Sequence, residues 1–177
     1  MISACLAHAC FSCLLAAGPQ PAAPPAASAA LTKELVALMS ARKQDAIATA
    51  DPSAPGHFVA AMVYPGVQLL IVRSQPTSAS DTASRISYRL YRDAYSDVQQ
   101  PAKSEGKLFI QDMGADGLAA TGAGSIDVIY EDVDRQTIFD GNWRKQKLSQ
   151  AEYQKKFATA DAEYARLLSL LIAEMKR

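Results

Sequence analysis

The chain has 177 residues, 49% of them apolar, and its 18 basic side chains are balanced by 18 acidic ones. That length suits one domain with a core of its own. A net charge of zero gives no electrostatic reason to expect nucleic acid or an anionic membrane as partner.

The first thirty residues differ in kind from the rest. Met1 to Ala30 carries no charge and holds all three cysteines, Cys5, Cys10 and Cys13. Ile2 to Ala17 is apolar, short for a bilayer span and suited to the h-region of a secretory signal. An Ala/Pro-rich stretch follows, and Ala27-Ser28-Ala29 offers small residues at the spacing a signal peptidase reads. A basic n-region is missing, and the same composition also describes a disordered Ala/Pro tail. Acylation at Cys10 or Cys13 fits less well, since neither cysteine follows the Leu-x-small order. The expectation is a signal peptide and linker over residues 1–30, then a single domain over 31–177, secreted or periplasmic. Cleavage near Ala29 would leave no cysteine for a disulfide, a thiol nucleophile or a zinc–thiolate site.

Leu31 to Ala50 has helical spacing at Leu35, Leu38, Met39, Ala46 and Ile47, with Thr32 as N-cap and Asp51-Pro52 as the stop. Asp45 to Thr49 also reads as a short strand, and the sequence leaves the two readings open. His57 to Arg73 is the structural centre: two apolar, β-branched runs flank Pro65-Gly66, the residue order of a type II turn. Asp81 to Tyr95 returns to helical spacing through Ala83, Ile86, Leu90 and Ala94. Lys107 to Asp112 alternates as a strand, with Leu108 and Ile110 on one face. Gly114 to Gly124 reads as flexible. Ile126–Tyr130 and Gln136–Phe139 form the arms of a second hairpin. Ser149 and Glu152 make a capping box opening a last helix, striped by Tyr153, Phe157, Ala160, Tyr164, Leu167, Leu168, Leu171, Ile172 and Met175. This order predicts an α+β fold, a mainly antiparallel sheet built on the 57–73 hairpin and covered by N-terminal, middle and C-terminal helices.

The stretch Asp45 to Pro52, then His57 to Tyr64, then Gln68 to Arg73 with a Ser/Thr-rich turn and a helix, resembles the opening of the flavin-binding split barrels, the pyridoxamine-phosphate-oxidase-like proteins. The resemblance covers about the middle third of the chain. It implies FMN as cofactor, its phosphate held by basic and hydroxyl side chains at Arg73, Ser74, Ser84 and Arg85, and an oxidoreductase activity. The Ser/Thr turn is longer here than in the family, and no second basic residue directly follows Arg85.

No catalytic motif is recognisable. His57 is the only histidine after the leader, which rules out a histidine-rich metal set. There is no G-x-S-x-G, Walker A or G-x-G-x-x-G pattern. Asp112-Met-Gly-Ala-Asp116-Gly117 partly echoes a calcium loop but has Gly114 at the third position and Ala123 at the twelfth. Arg85, Arg89 and Arg92 recur at i, i+4 and i+7 as a basic stripe that an anionic ligand or protein partner would fit. Trp143, beside Arg144, Lys145 and Lys147, reads as a packing residue. The leading expectation is an exported, non-catalytic binding or interaction domain; the alternative is an FMN-binding split barrel.

Overall fold

Among the described residues, six strands form one antiparallel sheet whose spatial order is their chain order, a simple meander. The computed structural model describes residues 27–64, 68–74, 85, 108–118, 127–131, 136–139 and 148–177. Helix α1 (Ser28–Ala41) is followed by β1 (Ala46–Ala50), β2 (Phe58–Tyr64), β3 (Gln68–Ser74), β4 (Leu108–Met113), β5 (Val128–Glu131) and β6 (Gln136–Phe139). Helix α2 (Gln150–Met175) closes the chain. The fold is α+β, as the element order predicts.

The 57–73 hairpin lies inside the sheet, with Ala61 paired to Ile71 and Tyr64 to Gln68. The Pro65-Gly66 turn itself lies outside the described residues. So do Ser84 and the remainder of the 81–95 helix apart from Arg85, which is helical and exposed. Lys107, Asp140 to Lys147 and residues 119–126 are outside them as well. The second hairpin is present as β5 against β6, with a register shift at Ile129/Tyr130.

Strand period decides which residues meet the helices. Ile47, Val59, Ala61, Leu69, Ile71, Leu108 and Ile110 share one face, and all are buried with Leu35 and Met39 of α1 and Tyr164, Leu167, Leu168, Leu171 and Met175 of α2. The α2 side chains recur every three to four positions, so the stripe read from sequence is the face that is covered. Its capping box is formed: Glu152 N–H donates to Ser149 Oγ at 3.2 Å, and Ser149 N–H to Glu152 Oε2 at 2.8 Å. On the opposite sheet face Ala60, Leu70, Val72 and Phe109 make a second buried cluster.

The helical reading of residues 42–50 is corrected. Helix α1 ends at Ala41 because Lys43 turns left-handed (φ 52°). Lys43 N–H then bonds Ser40 O at 3.0 Å and Gln44 N–H bonds Met39 O at 2.9 Å, a Schellman stop built without glycine. The chain is thereby released into β1, so the strand alternative is the correct one. Thr32 is not the N-cap either; it lies one turn inside α1 and its Oγ1 donates to Ser28 O at 3.0 Å. The helix begins three residues before the expected domain start at Leu31, and Ser28 is fully buried. Gly114 to Leu118 is not a loose segment: Gly114, Ala115 and Gly117 all take positive φ, and Ala115 and Leu118 are buried in the core.

Candidate functional site

Of the four residues that the flavin resemblance singles out, Arg73, Ser74 and Arg85 lie among the described residues and Ser84 does not. Arg73, near the end of β3, points to the helix face of the sheet by its register with Val59 and Leu108. There its Nη1 meets Glu163 Oε1 at 3.2 Å and Asp51 Oδ2 at 3.9 Å. Its charge is thus already opposed by two carboxylates. Ser74 is on the other face and buried. Arg85 is exposed, and Ser84, Arg89 and Arg92 lie outside the described residues.

Asp51 is the centre of the Arg73 network. The Pro-rich turn after β1 brings it back against α2, and Ser53 N–H and Oγ both bond its Oδ1, at 3.0 and 2.7 Å. Arg166 grips the same carboxylate with two nitrogens, at 3.0 and 2.9 Å, and reaches Glu163 with Nε and Nη2 at 2.8 Å each. Burial pushes the Asp51 carboxyl up. The bonds from Arg166 and Ser53 more than offset this and hold it down to about 2. The side chain of Asp51 has no exposed surface. The network fastens the end of β1 to α2, which is a structural use of its charges.

Asp112, the first acid of the calcium-like loop, is likewise spent internally. Strand parity turns it toward the helices, where it is fully buried. It accepts from Tyr164 Oη at 2.9 Å, Gly117 N–H at 3.0 Å and Asp116 N–H at 3.2 Å. Burial raises its pKa, against the lowering effect of those three bonds. Asp127 accepts from Met113 N–H at 2.9 Å. Among the described residues no three His, Cys, Asp or Glu side chains form a group that would hold a metal ion. His57 sits in the turn before β2 with Nδ1 3.4 Å from Pro55 O.

What the described structure offers outward is the edge of β1. Among the described residues this strand pairs on one side only. Val63 N–H bonds Asp45 O and Asp51 N–H bonds His57 O, so the odd-numbered residues carry the bonds to β2. The N–H and C=O groups of Ala46, Ala48 and Ala50 therefore point away from the sheet. The strand reads Ala-Ile-Ala-Thr-Ala, with no proline, lysine or glutamate to guard it. Ile47 is anchored in the core, and Thr49 Oγ1 donates to Glu174 Oε2 at 3.3 Å, so the strand is held in place from below. At its start lies an open groove of about 470 Å³. Val36, Met39 and Val63 supply its apolar lining, and Ser40, Lys43, Gln44 and Asp45 its polar groups.

Comparison with known proteins identifies no relative: no family model, no curated protein and no solved structure matches this chain. Among the described residues, no helix is long and apolar enough to cross a membrane.

The β1 edge went unnoticed in the sequence because residues 46–50 fit a helix as well as a strand. The available signal was the alternation of Ala with Ile47 and Thr49 immediately ahead of Asp51-Pro52.

Proposed function

We propose that this is an exported binding domain that takes up an extended segment of a partner protein as an additional strand against β1. The reading is carried by the outward backbone groups of Ala48 and Ala50, on a strand that pairs on one side only among the described residues. Strand addition draws its affinity from main-chain bonds and its selectivity from pockets that receive alternate side chains. The groove beside Val36, Met39 and Val63 is such a pocket, and Lys43 and Asp45 give it both signs of charge. Alanine side chains keep the edge flat, so a partner backbone can approach to the 4.7–4.9 Å spacing of paired strands, roughly. Export is supported by the uncharged, apolar first thirty residues.

A photo-crosslinking side chain at Ala50, in protein recovered from its exported compartment, tests the reading. The expected result is one crosslinked partner segment of extended, alternating sequence, lost in Ala48→Pro. That substitution removes an outward N–H and no bond to β2. Crosslinks undiminished in a folded Ala48→Pro variant would overturn strand addition. The flavin alternative is a separate proposal resting on the Arg73-to-Arg85 stretch; it predicts yellow protein, and colourless protein that takes up no added FMN removes it.

A further inference from the structure

We infer that the working protein keeps Ala27 and Ser28, so that a leader is removed N-terminal to Ala27 and not after Ala27-Ser28-Ala29. The inference rests on the export reading and moves the processing point that the sequence motif suggests.

Helix α1 has no side-chain cap of its own; Ala27 occupies the N-cap position. The first two backbone donors, Ala27 and Ser28 N–H, are met instead by Asp161, from the middle of α2. Ala27 N–H bonds Asp161 Oδ2 at 2.6 Å, and Ser28 N–H and Oγ bond Oδ1 at 3.3 and 2.5 Å. Ser28 Oγ also accepts from Leu118 N–H at 3.1 Å. Gly117 lies flat on the same spot. A Cβ there would come within 2.6 Å of Ala29 Cα and 2.9 Å of Ser28 Oγ, and the glycine has φ +92°. Three segments far apart in sequence therefore meet at Ser28, which is fully buried, as Asp161 nearly is.

A cut after Ala29 would remove all three of these donors from a buried carboxylate and the acceptor from Leu118 N–H. The new ammonium on Ala30 would lie about 3 Å further along the helix than Ser28, at a rise near 1.5 Å per residue. It also has no acceptor to offer Leu118. A signal peptidase meets the chain before it folds, so burial does not shield the bond. The product, however, would lack the group that joins α1, α2 and the 114–118 turn.

The test has two arms. In the first, the full chain is expressed in a host with Sec-type export, and the exported protein is read by intact mass and N-terminal sequencing. An N-terminus at Ala27 or upstream of it, with the leader removed, is expected. A folded exported protein beginning at Ala30 overturns the inference and leaves export standing. A chain that keeps Met1 and stays in the cytosol overturns the export reading and the inference with it. In the second arm, chains beginning at Ala27 and at Ala30, each behind an initiating Met, are melted side by side. The shorter chain should lose roughly 5–15 °C in Tm, or fail to fold. Equal melting temperatures would overturn the inference, and Ser28→Ala in the longer chain, which keeps the backbone, should fall between the two.

Discussion

Replacing Arg166 with Met tests whether the Asp51 network fastens β1 to α2. The substitution keeps an apolar stem of similar length and deletes the guanidinium. Asp51 would remain as a carboxylate with no exposed side-chain surface. Removing one partner of a buried pair costs roughly 3–5 kcal/mol. Here Ser53 stays bonded, Arg73 lies 3.9 Å away, and Arg166 itself is 32% exposed, so about 2–3 kcal/mol is the expected loss. In a domain of this length that is a fall of roughly 5–10 °C in Tm. Linkage gives a similar figure by another route. A carboxyl held at about 2 instead of 3.8 contributes roughly 2–3 kcal/mol. Because its folded pKa is depressed, that stability is present above the unfolded value and is lost as the pH falls from 3.8 toward about 2. Urea melts of Arg166→Met, Asp51→Asn and the double variant, each from pH 7 down to pH 2, form the assay. The double variant should cost clearly less than the two single losses combined, and the single variants should show a flattened acid limb. A loss under about 0.5 kcal/mol in Arg166→Met, with the acid limb intact, would refute the reasoning.

Gly117→Ala should be among the most damaging single changes, at about 3 kcal/mol or more, because it combines a left-handed backbone with a contact on Ala29 backbone; a thermal melt within 2 °C of the parent, roughly, would contradict this. Tyr164→Phe removes a donor from buried Asp112 and should cost about 1–2 kcal/mol at neutral pH. Asp112 has a raised folded pKa, so its contribution is present below the unfolded value and lost as the pH rises through the folded one. The Tyr164→Phe penalty should therefore shrink in acid, and a penalty that grows there would be wrong for this geometry. Ser149→Ala breaks a formed capping box and should cost about 1 kcal/mol by chemical denaturation, with no change in the m-value.

The elements that could be read from sequence were those with two agreeing signals. Helix α2 had both a capping box and an apolar stripe, and both are realised at Ser149, Glu152, Phe157, Tyr164 and Leu171. The paired runs around residues 58–74 had β-branched composition on both flanks of a turn, and they pair. The end of α1 was hidden because its left-handed residue is Lys43, where glycine is the usual marker. The start of α1 was hidden because its cap is Asp161, 134 positions away from Ala27, and no local pattern announces that. The same holds for the candidate site. Arg73 reads as a basic residue near a turn, and only the fold shows Asp51, Glu163 and Arg166 closing on one another. The edge position of β1 among the described strands depends on sheet order, which composition does not encode.

Hydrogen exchange along β1, residue by residue, addresses strand addition most directly. In the free protein the amides of Ile47 and Thr49 should be protected by β2, while those of Ala48 and Ala50 exchange fast. When the crosslinked partner segment is supplied as a synthetic peptide, Ala48 and Ala50 should slow by tenfold or more, roughly, with Ile47 and Thr49 little changed. Protection that appears elsewhere on the domain while Ala48 and Ala50 stay fast would contradict the account.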